Sequence, residues 1–137
     1  MIRHFILVAI IIFTAGSAFA AQYIKVEEFK TALEQKKEMH IVDIQEADDF
    51  EEHHFANSLE TNAYPVKSVT EKKRIDRIIP AIISSASPVI IICPRGKGGA
   101  MNTFEHLKSQ GIDEGRLYIL EGGMADWPYR DILKQGR

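Results

Sequence analysis

The feature that most constrains the fold is an unbroken apolar run, PVIIIC at residues 88–93, which is followed at once by a glycine-rich turn. A continuous β-branched run bounded by prolines is typical of a central parallel strand that is covered on both faces. Further apolar runs alternate along the chain with segments of helical periodicity. The expected fold class is therefore α/β, a small domain with a central, mostly parallel sheet of five strands and helices on both faces.

The individual elements can be placed along the chain from these patterns. The expected strands lie at 23–24, 40–44, within the weaker segment 58–65, at 88–93 and at 116–120. The expected helices start near Val26, cover 46–55, 69–84 and 100–110, and include a short one around 125–133. Pro80 should interrupt the third of these helices, and Gly111 should end the fourth.

The first twenty residues do not belong to this domain. They combine a short basic start at Arg3, an apolar stretch over residues 5–13 and the small-residue motif Ala18-Phe19-Ala20. This pattern is typical of a secretory signal peptide, residues 1–20, cleaved before Ala21. The competing interpretation is an uncleaved membrane anchor through residues 5–21. We expect a single exported domain, residues 21–137, which bacterial export would place in the periplasm.

Composition limits the classes of function. Apolar residues make up 45% and charged residues 26% of the chain, the balance of a soluble globular domain, and the formal charge of −2 gives no basic field for nucleic acid. The chain has one cysteine, Cys93. Exported cysteines usually pair as disulfides, so a lone thiol in an exported protein indicates a reactive role.

The turn after the apolar run has the chemistry of an anion-binding loop. Its glycines allow successive backbone N–H groups to point inward, and the helix that follows adds its own free N–H groups. Such donors favour a thiolate at Cys93, and Arg95 and Lys97 add positive charge. A buried structural cysteine on a tight turn remains the alternative. Nucleotide-binding patterns do not fit, because GKGGA lacks both the Walker spacing and the last glycine of the dinucleotide fingerprint.

Three ordered blocks give the chain a specific resemblance. They are IVDIQEADDFEEHHFANSLETNAYP, VIIICPRGKGGA and LYILEGGMADWP, which together cover roughly residues 22–130. In this order and at these separations they resemble the rhodanese-like domain. The resemblance implies a sulfurtransferase that moves sulfane sulfur from thiosulfate or a polysulfide-like donor to a thiophilic acceptor.

The resemblance also assigns roles to residues. Cys93 would be the nucleophile that carries the sulfur as a persulfide. Asp43, at a strand end, and His54 would be supporting residues. The loop that stabilises the persulfide and binds the anion would consist of Pro94, Arg95, Gly96, Lys97, Gly98 and Gly99. The implied partners are a small sulfur-containing anion and a thiol or cyanide-like acceptor, including a protein thiol, with no cofactor, metal, nucleic acid or, after signal cleavage, membrane.

The chain departs from the family pattern near the site. Gln45 stands where the family usually has arginine, so an expected ion pair is missing, and Pro94 stands where arginine usually follows the cysteine. His53 and the pair Asn57-Ser58 replace small family residues. The loop counts seven residues, a length that is also associated with phosphatases and arsenate reductases, but it ends in Gly99 where those loops end in arginine.

Two alternative functions therefore remain open at this point. One is a non-catalytic persulfide carrier, and the other, less favoured, is an oxyanion enzyme that uses the seven-residue loop. Among the other residues, Trp127 and Phe104 are expected in the core, and the acidic stretch 46–52 on a solvated helix face. The EGG turn at 121–123 should pack near the loop, and His106 could orient a general base for Cys93.

Overall fold

The computed structural model describes residues 21–137. The predicted signal peptide, residues 1–20, lies outside the described residues. Among the described residues, no helix combines the length and the apolar character needed to cross a membrane.

Within residues 21–137 the chain alternates between strands and helices. The strands are β1 (Gln22–Ile24), β2 (His40–Asp43), β3 (Leu59–Glu60), β4 (Val89–Ile92) and β5 (Leu117–Leu120). The helices are α1 (Val26–Glu34), α2 (Ala47–Glu52), α3 (Val69–Asp76), α4 (Ile79–Ile83) and α5 (Gly98–Ser109). Two single turns of 3-10 helix cover Glu114–Arg116 and Arg130–Ile132.

The five strands form one parallel sheet in the order β1-β5-β4-β2-β3, so β4 is the central strand. The α/β fold class with a five-stranded sheet is confirmed. In the register of β2 and β4, Asp43 lies opposite Ile92. The carboxyl ends of these strands therefore meet at one edge of the sheet, immediately before Cys93.

Side chains alternate along β4 and bury against helices on both faces of the sheet. Val89, Ile91 and the following Cys93 belong to one core cluster, which includes residues of α3, α4 and α5. Ile90 and Ile92 belong to a second cluster, which includes residues of α1 and of the segment after β5. This two-sided burial explains why the run at 88–93 is apolar at every position.

The second cluster is built around Trp127, whose side chain is 1% exposed. Its ring makes edge contacts with Phe29, Phe55 and Tyr129 at centroid distances of 5.6, 4.9 and 5.5 Å. The indole N–H donates a hydrogen bond of 3.0 Å to the carbonyl oxygen of Tyr129. Phe104, in the first cluster, is also buried. Trp127 and Phe104 are both core residues, as predicted.

The helices differ from the sequence expectation in several places, and α2 is shorter than the expected 46–55. The expected helix at 69–84 is two helices, α3 and α4, and Pro80 lies in the first turn of α4, where its missing N–H costs no helical hydrogen bond. The expected helix around 125–133 is wrong, because only the single turn Arg130–Ile132 forms after Pro128. Helix α5 begins at Gly98, two residues earlier than expected.

The aromatic cluster generates a stability prediction. Trp127→Ala should lower the free energy of unfolding by about 3 to 5 kcal/mol, because it leaves a cavity among packed rings. Ile83→Ala is the matched control: this side chain is 64% exposed, and its loss should cost about 0.5 kcal/mol or less. Urea unfolding followed by circular dichroism measures both values. Equal costs for the two variants would contradict this account of the core.

Candidate active site at the carboxyl ends of the strands

Cys93 follows β4 directly and is 2% exposed. Its Sγ accepts a hydrogen bond of 2.8 Å from the backbone N–H of Gly96, so the loop folds back over the sulfur. The cysteine is a free thiol. The sulfur therefore lies at the base of the loop, with a backbone donor already aimed at it.

A second turn, from the segment after β5, packs against this loop. The N–H groups of Met124 and Ala125 donate hydrogen bonds of 2.9 Å to the carbonyl oxygens of Cys93 and Pro94. Both turns need glycine here. Gly96 has φ +67°, and a Cβ on it would lie 2.7 Å from the Leu120 carbonyl oxygen.

Gly123 completes this contact from the other side. It has φ +60°, and a Cβ on it would collide with the carbonyl oxygen of Cys93 and the backbone nitrogen of Gly96. The predicted packing of the EGG turn near the loop is confirmed. The close backbone contact leaves no room for a side chain at either glycine, which fixes the position of the cysteine loop.

The distal half of the loop is already helical. Gly98 and Gly99 belong to the first turn of α5, whose N–H groups have no intrahelical acceptor. A Cβ on Gly99 would come within 2.8 Å of the Tyr64 ring and 3.1 Å of Ile44 Cδ1. Gly99 is the position at which oxyanion-binding loops carry their last arginine. In this chain the Tyr64 ring occupies the space that a side chain at position 99 would need.

The two loop cations are exposed. Arg95 and Lys97 form no ion pair with any carboxylate of residues 21–137. They therefore remain available to an incoming anion. In the same part of the chain, no group of three or more His, Cys, Asp or Glu side chains is placed to hold a metal ion.

Asp43 lies at the end of β2, fully buried, beside the strand that leads to Cys93. Its Oδ1 accepts from the backbone N–H of Gln45 at 2.8 Å, and its Oδ2 accepts from Gln45 Nε2 at 3.0 Å. Burial raises the pKa of this carboxyl from its ordinary 3.8 to about 7, the two bonds from Gln45 oppose the rise, and the charge of Glu60 adds to it.

Gln45 explains how the missing ion pair is replaced. Its side chain is 3% exposed, and its amide nitrogen donates both to Asp43 and to the carbonyl oxygen of His53. The amide supplies hydrogen bonds but no positive charge, so the buried carboxyl keeps a raised pKa. The sequence identified Gln45 only as a departure from the family pattern; its burial and its two acceptors became visible in the structure.

The predicted supporting residue His54 connects segments outside the loop. Its Nδ1–H donates to the Phe50 carbonyl oxygen at 2.9 Å, and its ring stacks on the Phe50 ring at 4.1 Å. Its backbone forms an antiparallel bridge with Lys134, which ties the C-terminal segment to α2. The expectation for His106 is wrong, because its Nε2 is engaged 2.7 Å from Asp76 Oδ1 on α3.

Together these features define an α/β domain in which a thiol at the carboxyl end of the central strand faces a glycine loop and a helix N-terminus. The sequence profile of the rhodanese-like domain matches residues 25–128. The chain belongs to this family.

The individual proteins that this chain resembles share only a modest part of its sequence. Thiosulfate sulfurtransferase GlpE of Coxiella burnetii is 28% identical over 95 residues, which cover 69% of this chain and 77% of the relative. The rhodanese-like domain protein of Staphylococcus aureus superimposes with a TM-score of 0.60 at 23% identity, over 85% of this chain and 99% of the other. An As-Sb reductase from Leishmania major gives a TM-score of 0.61 at 17% identity, over 80% and 77%. The structural likenesses establish the shared fold.

The loop contact predicts opposite effects for two glycines of the same loop. Gly96→Ala should lower the free energy of unfolding by about 1 to 3 kcal/mol. Residue 96 has a left-handed backbone conformation, and the added methyl group would collide with backbone atoms of the turn after β5. Gly98→Ala should be neutral or stabilise by up to about 1 kcal/mol, because a Cβ there meets nothing within 4 Å. Urea unfolding distinguishes the two. A harmless Gly96→Ala would refute the close contact.

The raised pKa of Asp43 predicts the pH dependence of stability. Between the unfolded value near 3.8 and the folded value of about 7, the folded state holds a proton that the unfolded state releases. The contribution of Asp43 to the free energy of unfolding is therefore complete at low pH. It is lost as pH rises toward the folded pKa, by at most about 1.4 kcal/mol per pH unit.

Two variants test this assignment in urea unfolding series between pH 5 and pH 8. Asp43→Asn removes the titrating group and should flatten the slope. Gln45→Arg places a guanidinium beside the carboxylate, lowers the pKa of Asp43 and should raise stability at pH 8 relative to pH 5. An unchanged slope in Asp43→Asn would assign the pH dependence to other groups.

Proposed function

We propose that this protein is a sulfurtransferase that carries sulfane sulfur on Cys93 as a persulfide. The observation that carries the proposal is the placement of the Cys93 sulfur at the base of the loop, 2.8 Å from a donating backbone N–H. A persulfide anion extending from this sulfur would meet the same kind of donor in the loop and in the first turn of α5. Membership of the rhodanese-like family supports this class of reaction.

The proposed cycle has two balanced displacements. The Cys93 thiolate attacks the outer sulfur of thiosulfate, the S–S bond of the donor breaks, and sulfite leaves with the electron pair. An acceptor thiolate then attacks the outer sulfur of the persulfide, and Cys93 leaves as a thiolate. The exposed Arg95 and Lys97 support the first step, because they attract an anionic donor to the loop.

The contact between Gly99 and Tyr64 argues against oxyanion chemistry. Recognition of a phosphate or arsenate by a loop of this kind relies on a bidentate guanidinium. Position 99 has no space for such a side chain unless the Tyr64 ring moves. We therefore favour a sulfurtransferase over an oxyanion enzyme. We also propose that the protein is periplasmic, because residues 1–20 have the pattern of a signal peptide.

Intact-mass analysis tests the persulfide directly. Reduced protein treated with thiosulfate or polysulfide should gain the mass of one sulfur atom, about 32 Da. Cyanide should remove the added mass and produce thiocyanate over many turnovers. Cys93→Ala should show neither the adduct nor turnover, since no second cysteine exists in the chain.

Other outcomes of this experiment are equally informative. An unchanged mass with both donors would refute the proposal. An adduct that forms once, resists cyanide and transfers only to a protein thiol would identify a persulfide carrier instead. Hydrolysis of an aryl phosphate that depends on Cys93 would favour the oxyanion enzyme.

A further inference from the structure

We propose that a cleft beside the cysteine loop binds the sulfur acceptor and selects an acceptor thiol that carries an ammonium or guanidinium group. This inference rests on the proposed sulfur-transfer function and adds the chemical class of the acceptor. The cleft has a volume of about 340 Å³ and is lined on one side by Pro94, the residue that follows Cys93.

The floor of the cleft is continuous with the loop. Met124 and Ala125 line it, and their N–H groups hold the carbonyl oxygens of Cys93 and Pro94. A ligand in the cleft therefore rests on the backbone that positions the reactive sulfur.

The wall of the cleft that α2 contributes is acidic. Asp49 and Glu52 lie three residues apart on α2, on one face of the helix, and both line the cleft. Both side chains are exposed, and neither forms an ion pair within residues 21–137. The two carboxylates are therefore available to a ligand that binds in the cleft.

A buried side chain with an unpaired acceptor points to the same kind of ligand. Gln45 lines the cleft with a side chain that is 3% exposed. Both hydrogens of its amide nitrogen are used, by Asp43 and by the His53 carbonyl oxygen. Its Oε1 accepts no hydrogen bond from the described residues. This acceptor lies in a cleft that two carboxylates also line, and the combination favours a ligand that donates hydrogen bonds and carries positive charge.

Arg130 is the one arginine or lysine in the cleft lining, and its side chain is exposed. Its charge opposes a cationic ligand and moderates the selectivity set by Asp49 and Glu52. The variants Asp49→Asn/Glu52→Gln and Arg130→Gln should therefore change the preference for a cationic acceptor in opposite directions.

The charges also separate the two substrates. Arg95 and Lys97, on the loop itself, favour an anionic donor, whereas the α2 wall favours a cationic acceptor. An acceptor with a carboxylate near its thiol would meet like charge on the wall. The donor and the acceptor are thus distinguished by charge although both react at Cys93.

The experiment compares thiols of similar size and different charge. Protein loaded with persulfide is mixed with cysteamine or with 3-mercaptopropionate, and the rate of sulfur loss from Cys93 is followed by mass spectrometry. Because the thiols differ in intrinsic reactivity, the measured quantity is the change in their rate ratio between variants. Asp49→Asn/Glu52→Gln should lower the ratio of cysteamine to 3-mercaptopropionate by about fivefold, and Arg130→Gln should raise it.

The matched control is Asp48→Asn/Glu51→Gln. It removes the same charge from the same short helix at exposed positions that do not line the cleft. Its rate ratio should equal that of the unmodified protein. Equal ratios in the protein, the cleft variant and the control would overturn the inference, and so would an equal loss in both double variants.

A second measurement separates this inference from the proposed function. Aminoethyl and sulfonatoethyl methanethiosulfonate react with the reduced Cys93 thiol without any persulfide. Their rate ratio should show the same pattern across the three variants. If no persulfide forms with any donor, the proposed function fails, and this ratio alone then supports or overturns a cation-selective cleft.

Two acceptor sources share this chemistry, and the last arm of the experiment distinguishes them. A short peptide with lysines on both sides of its cysteine is compared with cysteamine and with the same peptide carrying glutamates. Faster transfer to the lysine peptide than to cysteamine assigns the acceptor to a protein thiol in a basic segment. Faster transfer to cysteamine assigns it to a small aminothiol. A glutamate peptide that reacts as fast as the lysine peptide would contradict the inference.

Discussion

The structure depends on backbone contact between two turns that leave neighbouring strands of the sheet. Gly96 and Gly123 bring the turn after β4 and the turn after β5 together without a side chain between them. The hydrogen bonds from Met124 and Ala125 then fix the carbonyl groups of two successive residues, Cys93 and Pro94. The sulfur is positioned by main-chain geometry, so the loop can vary in charge without moving the thiol.

A buried carboxyl supports the same edge of the sheet from the other side. Asp43 ends β2 beside the end of β4, and its backbone carbonyl oxygen accepts hydrogen bonds from both the N–H and the hydroxyl of Thr61, which secures the short β3. Gln45 supplies the hydrogen bonds that this carboxyl needs but not the charge that would neutralise it. The site therefore rests on a group whose ionisation falls near neutral pH.

Much of this arrangement could be predicted from the sequence, because it follows from patterns among neighbouring residues. The run at 88–93 contains no polar residue because both of its faces are buried, so its central place in the sheet was evident. Pro80 also made an interruption of the helix at 69–84 evident, but the break falls before it, at residues 77–78, and Pro80 itself lies in the first turn of α4. The packing of Tyr64 against Gly99 could not be predicted, because it joins residues 35 positions apart through shape alone. The acidic stretch 46–52 carries five carboxylates, and periodicity does not show which of them line the cleft.

The bridge between His54 and Lys134 has a consequence for how such a domain can diversify. It joins α2 to the C-terminal turn by main-chain hydrogen bonds, so two elements that line the cleft are held together by atoms that every amino acid except proline possesses. Side chains on those elements can be exchanged during evolution without disturbing the sheet, the loop or the thiol. Recognition of a partner and the chemistry of the sulfur atom can consequently evolve as separate traits within one small domain.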